Sequence, residues 1–588
     1  MTRLGARPLA DGTTEFCVWA PVATRASVVS EGTRYDLTSR VRGYFDGIFP
    51  IEAGARYRFA LDDDEPLADP ASRSQPDGVH GESEVVDLSA FDWTDGTWEG
   101  MKPGVPIMEI HACTFSSEGT FDGVIPSLRE LRALGIGAIE IMPVAQFPGA
   151  RNWGYDGVFP YAVQNTYGGP PGLMRLVDAA HREGIAVILD VVYNHLGPEG
   201  AVHDRFGPYF TDRYRTPWGR AVNVDGPGSD EVRRYFIENA LQWLVDLHID
   251  GLRLDAVHGI FDTSPYPFLA ELADAVAPTG KVLIAESETN DRRVVTPRAH
   301  DGLGVDAVWS DDFHHAVHAI VTGEDDGYYC DYGSVELLAR AYTDGFAYQG
   351  EYSAYRDRRY GSPAGGLLAE RFVVAIQNHD QIGNRAFGER LDRLCSFAQR
   401  KLATGLLLTS PFVPLIFMGE EYGEEAPFLY FVSHTDRALL EAVRKGRAEE
   451  FAAFGWKDEP PDPGDEKTFL RCVLDRSLRN DGTHAHLYEL YRTLLALRAR
   501  PALATGHKEN VSVECDGSTM IARRHAGGDE VTIVFNLGDV ATAVSIPGAR
   551  RRVALDSEDA RFGGSTPCVP DGARAQLAPW SFVILEDA

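Results

Sequence analysis

The stretch Gly251-Leu252-Arg253-Leu254-Asp255-Ala256-Val257-His258 decides the fold and the site that this sequence predicts. It begins at a glycine, follows a helical segment and alternates apolar with charged residues, which predicts a short parallel strand entering a loop. A buried carboxylate at the end of a barrel strand is costly unless a neighbouring arginine keeps it ionised. An ionised carboxylate is the nucleophile of a covalent glycosidase, so we hypothesise this role for Asp255. A purely structural Arg253–Asp255 ion pair is the alternative.

From about residue 100 onward, strands and helices alternate as in parallel β/α units. The strands are separated by a helix that Gly135 ends, by an amphipathic helix through Leu173 and Leu176, and by a long helix from Arg234 to Leu247. Eight strands are predicted, beginning at Ile107, Ala138, Ala186, Gly251, Val282, Ala307, Phe372 and Leu415. Eight such units close most economically into a (β/α)8 TIM barrel of the α/β class, to which we assign residues 96–504.

Short alternating strands flank the barrel at both ends of the chain. Turn-forming pairs such as Asp11-Gly12 separate apolar runs in residues 1–95, which predicts an N-terminal β-sandwich. Sugar binding by this sandwich is conceivable, as in carbohydrate-binding modules, but structural packing is the favoured role. Residues 505–588 predict a C-terminal β-sandwich in the same way. The proline-rich stretch from Lys457 to Asp465 predicts a surface loop.

Charge and cysteine content limit the partners and the compartment. The formal net charge of -31 disfavours nucleic acid and anionic membrane surfaces, and it fits a neutral substrate. Seven scattered cysteines without a CxxC pair favour reduced thiols in the cytoplasm. The first residues lack the apolar core of a signal peptide. The apolar run from Leu402 to Met418 contains Pro411 and Pro414, which predicts a buried helix and strand and not a membrane span.

Polar residues collect at the predicted carboxyl ends of the strands, where barrels carry their active sites. They follow the third, fourth, fifth and seventh strands and comprise Asp190, Asn194, His195, Arg253, Asp255, Glu286, Asn378, His379 and Asp380. A single Asn-His-Asp could be a turn, and a lone histidine is more often a core residue. The coincidence of four such ends at one face favours a catalytic site.

The pair Asp255 and Glu286 lies on neighbouring predicted strands, so both side chains can face one cleft. Retaining glycosidases place two carboxyl groups about 5–5.5 Å apart, one ionised and one protonated. Arg253 is expected to hold Asp255 charged, whereas the apolar run before Glu286 is expected to raise its pKa and make it the proton donor. Asp380 could stabilise a cationic transition state. His195 and His379 are expected to contact sugar hydroxyls.

These segments resemble the motifs of the α-amylase superfamily, glycoside hydrolase family 13. The resemblance spans the barrel and rests on Asp190 through His195, Gly251 through Asp255, Glu286, and His379-Asp380. It implies that Asp255 is the nucleophile, Glu286 the acid/base and Asp380 the transition-state stabiliser. It also implies that Arg253, His195 and His379 line the subsite of the cleaved sugar, and that Tyr155 stacks on its ring.

Further motifs resemble the trehalohydrolase branch of this family. They are Asn152-Trp153-Gly154-Tyr155-Asp156-Gly157, Tyr161-Ala162-Val163-Gln164, Tyr167-Gly168-Gly169-Pro170, Asp69-Pro70-Ala71-Ser72-Arg73 and the stretch from Gln377 to Arg385. The resemblance implies an N-terminal immunoglobulin-like domain. It also implies retaining hydrolysis of the α-1,4 bond next to the terminal trehalose of maltooligosyl trehalose, with α-1,4-glucans as related ligands.

Aromatic side chains are expected beside the cleft because sugar rings present apolar faces for stacking. Trp153, Tyr155 and Trp218 follow the second and third strands and are the candidates, although packing inside a loop is an equal alternative for Trp218. Trp243 is expected in the core. Further substrate contacts are expected from Asp190, His258 and Asn378.

Three rival interpretations remain at this point. A 1,4-α-glucan branching enzyme shares the fold and the acids and differs only in its acceptor. A metal-dependent barrel hydrolase would draw on His195, His314, His315 and His379, but His111-Ala112-Cys113 lacks the paired histidines usual on the first strand of such enzymes. A catalytically inactive glucan-binding scaffold is disfavoured by the complete acid set. We therefore expect no cofactor and no dedicated metal site.

Overall fold

The computed structural model describes residues 4–453, 460–546, 551–568 and 574–587. These ranges form a closed barrel of parallel strands with antiparallel sheets towards both ends of the chain. The loop predicted from Lys457 to Asp465 falls outside the described residues at 457–459, and its remainder leads into the helix Glu466–Leu470. Within the described ranges, no helix has both the length and the apolar surface needed to cross a bilayer.

The barrel strands follow one another in chain order, and the last pairs with the first. Their bounds are Ile107–Ile110, Ala138–Ile141, Ala186–Val191, Gly251–Leu254, Val282–Glu286, Ala307–Trp309, Phe372–Ala375 and Val413–Phe417. Almost every strand residue is buried, because helices cover the outside and side chains fill the inside. The (β/α)8 TIM barrel predicted from the sequence is confirmed.

The helices around the barrel follow the predicted apolar periodicity. Their bounds are Phe121–Val124, Leu128–Leu134, Gly169–Arg182, His203–Phe206, Ser229–Leu241, Phe268–Val276, Asp311–Thr322, Val335–Asp344, His379–Gly383, Leu391–Leu394, Phe397–Thr409, Arg437–Ala453, Glu466–Leu470 and Gly482–Leu497. Gly135 ends the second of these in a left-handed conformation, as predicted. The long helix before the fourth strand begins at Ser229, earlier than predicted, and ends in the π-helical turn Gln242–Asp246.

Several connections depart from regular alternation. The fully described segment 287–306, between the fifth and sixth strands, contains the short turn Arg298–His300 and no α-helix. The sixth connection instead carries two helices and the hairpin Gln349–Ser353 with Arg358–Gly361. A second hairpin, Phe210–Thr216 with Gly219–Val222, follows the third strand. The hairpin after the third strand precedes the helix Ser229–Leu241 and therefore lies on a carboxyl-side connection of the barrel, the side on which the site is built.

Antiparallel sheets confirm the β-structure predicted at both ends of the chain. The N-terminal sheets have the strand orders Gly5–Pro8, Thr14–Trp19, Tyr44–Phe49, Thr38–Ser39 and Thr33–Asp36, Ala26–Ser30, Arg56–Leu61, Ser83–Glu84. The C-terminal sheets have the orders Val511–Asp516, Thr519–Ala526, Asp529–Asn536, Ser581–Asp587, Arg551–Asp556 and Thr542–Ser545, Arg574–Leu577. Trp19 packs edge-on against Tyr209 at 5.3 Å between ring centroids, which joins the N-terminal sheets to a barrel loop.

Candidate active site

Arg253, on the fourth barrel strand, lies at the centre of the candidate site. Its Nη1 lies 2.9 Å from Asp190 Oδ2 and 3.0 Å from Asp255 Oδ1, and its Nη2 lies 2.9 Å from Glu286 Oε2. The guanidinium is buried and stands 4.3 Å from the centroid of the Trp309 ring. Three acids from three successive strands thus converge on one cation at the carboxyl end of the barrel, as the sequence predicts.

Asp255 is fixed by the turn that follows its strand. Its backbone N–H donates to Val191 O at 3.0 Å, and its Oδ2 accepts from the Asn194 amide at 3.1 Å. The next residue, Ala256, has φ +38°, a left-handed conformation that is costly for alanine. This turn directs the Ala256 N–H to Glu286 Oε2 at 2.8 Å. The strained turn therefore links the two acids through backbone as well as through Arg253.

The pKa values of the two acids correct one prediction. Burial, followed by the negative charge of Glu286, raises the pKa of Asp255 to about 8, although Arg253 opposes this. Burial also acts on Glu286, but Arg253, the Ala256 N–H and two histidines outweigh it and lower the pKa of Glu286. The prediction that Asp255 is charged and Glu286 protonated is therefore wrong for the site without substrate. The reason is that Arg253 serves both acids, while Glu286 alone also receives the backbone N–H.

Asp380 lies in the first turn of the short helix His379–Gly383, directly after the seventh strand. The Asn378 side chain caps this helix, because its Oδ1 accepts from the Gln381 N–H at 2.8 Å. The contact of Asn378 with substrate stays a prediction. Asp380 Oδ1 accepts from the Asn384 amide at 2.7 Å. Burial raises the pKa of Asp380, and the charge of His379 opposes this. Glu286 adds to the rise, which places Asp380 near the same cleft.

The Tyr155 side chain contacts residues at the ends of the third and seventh strands. Its hydroxyl donates to Asp190 Oδ2 at 2.6 Å and lies 2.8 Å from His379 Nε2. Its ring stacks on the His379 ring, with centroids 5.2 Å apart. The structure thus brings Tyr155, Asp190 and His379 together as predicted, and the Tyr155 hydroxyl is hydrogen-bonded to both of the other side chains.

Three other predicted contact residues are placed less directly. Both ring nitrogens of His195 are engaged by protein, by Asn194 Oδ1 at 2.8 Å and Tyr155 O at 2.9 Å, so neither is free for a sugar hydroxyl. Trp218 stacks on that ring at 4.9 Å and is 46% exposed, as a sugar-stacking residue should be. Trp153 is buried, stacks on Phe428 and donates its indole N–H to Leu429 O. Trp153 therefore has a structural role next to the site, because its ring packs within the protein.

His258, another predicted contact residue, has a side chain that is 25% exposed. Its Nε2 lies 3.9 Å from Glu288 Oε1, and its Nδ1 has no hydrogen-bond partner among the described residues. Trp243 is buried in the core, as expected.

The sequence interpretation assigned no contact to three polar groups of the site. Asn194 binds Asp255, Glu109 binds His379 from the first barrel strand, and Asp311 follows the sixth strand. Burial, then the charges of Glu286 and Asp380, raise the pKa of Asp311 to about 8. A signal existed for two of them, since Glu109 interrupts an apolar strand and Asp311 follows one.

A metal-dependent hydrolase would require a cluster of side chains that can bind a metal ion. Across the described ranges, no group of three or more histidine, cysteine, aspartate or glutamate side chains is arranged to hold a metal ion. His314 and His315 lie buried in the helix Asp311–Thr322, with their Nδ1 atoms 3.1 Å apart, and the His315 ring stacks on Tyr328.

Comparison with known proteins agrees with the fold. Residues 72–216 match the family model described as the alpha amylase catalytic domain, and residues 506–584 match one described as a domain of unknown function. A crystal structure from Salmonella typhimurium, described as a candidate alpha amylase, superposes with a TM-score of 0.91 at 36% identity and covers 100% of both chains. The barrel, the acids at its carboxyl end and these matches define a protein of the α-amylase class.

Proteins with similar sequences identify a family within the α-amylase class. A malto-oligosyltrehalose trehalohydrolase from Saccharolobus solfataricus is 46% identical over 85% of this chain and 88% of its own length. One of the same name from a Rhizobium species is 43% identical over 99% of both. The chain belongs to the malto-oligosyltrehalose trehalohydrolase family. A 1,4-alpha-glucan branching enzyme from Xanthomonas campestris is more distant, at 27% identity over 98% of this chain and 79% of its own.

Proposed function

We propose that this protein hydrolyses the α-1,4-glucosidic bond next to the terminal trehalose of maltooligosyl trehalose and releases trehalose. The substrate follows from the name shared by relatives that align along nearly the full chain. The chemistry is supported by one observation above all, the contact of Arg253 with both Asp255 and Glu286. Two carboxyl groups held by one guanidinium are close enough to act on one glycosidic bond.

We assign the nucleophile to Asp255 and the general acid and base to Glu286. Asp255 is held by the strand-end turn, by Asn194 and by Arg253, so its attacking oxygen has a defined position. Glu286 follows on the adjacent strand and would protonate the leaving oxygen, then activate water to release the sugar. A pair held this closely favours the retaining route through a covalent intermediate, since an inverting pair needs room for water, with roughly 6.5–9.5 Å between the carboxyl groups.

The proton on this pair must change place during the reaction. Without substrate the pair binds one proton, and the raised pKa of Asp255 assigns it there. A glycosidic oxygen beside Glu286 accepts a hydrogen bond, which favours the protonated form of Glu286 once substrate is bound. We infer that substrate binding transfers the proton to Glu286 and leaves Asp255 ionised, because interacting carboxyl groups titrate as a pair.

Asp380 would stabilise the positive charge that develops on the sugar ring, because its carboxyl group lies near Glu286. Tyr155 and Trp218 are the proposed stacking residues, and the partly exposed His258 is proposed to contact a sugar hydroxyl. Arg253, Asp190, His195 and His379 would shape the subsite of the cleaved glucose by holding these groups in position.

We propose a division into residues 1–95, 96–504 and 505–588, with the acids in the middle part. The first C-terminal strand begins at Val511, in keeping with a boundary near 505. We propose a cytoplasmic location, which the seven free cysteines support because thiols persist in a reducing compartment. No cofactor is needed for this chemistry, since Glu286 gives its proton to the leaving oxygen and regains one from the attacking water.

Product analysis tests the proposal. The protein is incubated with maltotriosyl trehalose and, separately, with amylose, and the sugars are identified by chromatography and NMR. We expect free trehalose together with maltotriose from the first substrate. Formation of α-1,6 linkages in amylose without release of trehalose would instead identify a branching enzyme and contradict the proposal.

A further inference from the structure

His379 has both ring nitrogens engaged inside the barrel mouth. Nδ1 makes a short hydrogen bond with Glu109 Oε1, and the backbone N–H of His379 donates to Glu109 Oε2 at 2.9 Å. Nε2 lies 2.8 Å from the Tyr155 hydroxyl. Glu109 belongs to the first barrel strand, below the level of the proposed catalytic acids. His379 is thus held from one side by a buried carboxylate and from the other by a tyrosine.

The proton of the Tyr155 hydroxyl determines the state of Nε2. Tyr155 donates its one proton to Asp190 Oδ2 at 2.6 Å, and Asp190 is the acceptor because Arg253 Nη1 contacts both of its oxygens. The Tyr155 oxygen must therefore accept a hydrogen from His379 Nε2. With Nδ1 bonded to Glu109, the ring carries a hydrogen on each nitrogen and is an imidazolium.

Glu140 offers an internal comparison with Glu109. The two residues are paired in the register of the first and second barrel strands, and both are buried. Neither carboxyl oxygen of Glu140 has a hydrogen-bond partner among the described residues. Burial, followed by the charge of Glu109, raises the pKa of Glu140 well above its ordinary value, which favours its neutral form. Of these two neighbours, only Glu109 is hydrogen-bonded to a cation.

We propose that Glu109 is a positioning residue of the active site, which keeps His379 doubly protonated and fixes its ring against Tyr155. This inference rests on the proposed function and assigns the first barrel strand a part in catalysis without contact with the sugar. The charged ring then acts on the neighbouring acids. His379 is the group that most opposes the burial of the Asp380 carboxylate, and it also favours the ionised form of Glu286.

Groups of both signs face His379, and their balance gives the direction of its titration. Burial lowers the pKa of the ring, but Glu109 and then Asp380 raise it to about 9 against the charge of Arg253. The other ionisable groups that interact with the ring are His111, Glu140, Tyr155, Asp190 and Glu286. The ring therefore stays charged at neutral pH and loses its proton as the pH rises through about 9. Removal of the Glu109 charge moves this transition to lower pH.

The test compares Glu109→Gln with Glu140→Gln, the same change at two paired positions of one barrel layer. Glutamine keeps the acceptor for the His379 backbone N–H but cannot accept from Nδ1. Protein labelled with 15N-histidine is titrated by NMR, and His379→Gln assigns the signal. We expect doubly protonated His379 at pH 7 in the wild type and in Glu140→Gln, and a midpoint lower by at least ~1 pH unit in Glu109→Gln. With maltotriosyl trehalose, we expect kcat of Glu109→Gln to fall up to about 10²-fold.

Two outcomes would overturn the proposal, and they differ from failure of the proposed function. A neutral His379 at pH 7 in the wild-type protein would overturn the proposal, and this test does not depend on whether Glu109→Gln folds. An unchanged His379 midpoint and unchanged kcat in Glu109→Gln would do so as well. Failure of the proposed function would appear in the wild type as absence of trehalose release, whatever the NMR signal of His379 shows.

Discussion

At the scale of single residues, the site is organised by one cation shared among several acids. Arg253 contacts Asp190, Asp255 and Glu286, so its charge cannot be assigned to one partner. Because Asp255 is buried and the Glu286 carboxyl group repels its charge, the pair retains a proton at neutral pH. This is the protonation that a retaining glycosidase requires, one charged and one neutral carboxyl group.

This shared proton predicts the alkaline limit of activity. The free enzyme loses the last proton of the pair as the pH rises through the raised pKa of Asp255, about 8. Above that pH both acids are ionised and no proton is available for the leaving oxygen. We therefore expect kcat/KM for maltotriosyl trehalose to fall above about pH 8. A kcat/KM that stays constant to pH 10 would show that the pair does not carry the required proton.

The identities of these residues could be predicted from the sequence, but the carboxyl group that carries the proton could not. Arg253, Asp255 and Glu286 could be predicted because each follows a short strand in a local pattern. The contact of His379 with Glu109 joins residues 270 positions apart, and no local pattern reports it. The predicted location of the proton on Glu286 was wrong because Arg253 and the Ala256 N–H, which only the fold brings next to Glu286, lower its pKa.

At the scale of elements, the loop after the second strand depends on Gly154. This residue has φ +109°, and a Cβ built on it would lie 2.0 Å from Pro143 O. Only glycine fits here, and the loop carries Trp153 and Tyr155 into the site.

We expect Gly154→Ala to displace this loop and lower kcat/KM by about tenfold or more, because small displacements in a site are costly. Gly506→Ala is the matched control, since Gly506 has φ +115° but nothing within 4 Å of a built Cβ. It should lose about 1 kcal/mol of stability and keep its activity. Steady-state kinetics of both variants decide this, and equal activity of the two would contradict the role given to Gly154.

Strands were easier to predict than the connections between them. The eight strands have mostly apolar, buried sequences, as expected for parallel strands that are covered on both faces. The segment 287–306 lacks the expected α-helix, and the hairpins at Phe210–Val222 and Gln349–Gly361 were not predicted. Each hairpin pairs only with itself and is partly exposed, so burial leaves a weak pattern in its sequence.

At the scale of the whole molecule, a buried arginine fastens the C-terminal sheet to the barrel. Arg524, in the strand Thr519–Ala526, donates to Thr409 O at 2.6 Å, Ser410 O at 3.0 Å and Ala504 O at 2.6 Å. These carbonyl groups end a barrel helix and begin the connection to the sheet. Burial lowers the pKa of Arg524 to about 10, which still leaves it charged at neutral pH.

We expect Arg524→Met to cost about 3 kcal/mol or more, because several buried carbonyl groups lose their donor. Arg523→Met is the control, since Arg523 points the other way and pairs with the exposed Glu514. That change should cost within about 0.5 kcal/mol. Urea unfolding followed by tryptophan fluorescence measures both. Equal midpoints for the two variants would mean that Arg524 does not hold the sheet to the barrel.

The central claim is that Asp255 attacks the sugar while Glu286 supplies the proton. The most direct measurement is mass spectrometry of the Glu286→Gln variant after reaction with 5-fluoro-α-glucosyl fluoride, whose good leaving group needs no acid. The account predicts a stable glucosyl adduct on the peptide that contains Asp255, and none in Asp255→Ala. An adduct on another carboxylate, or no adduct together with inverted products from the wild type, would contradict it.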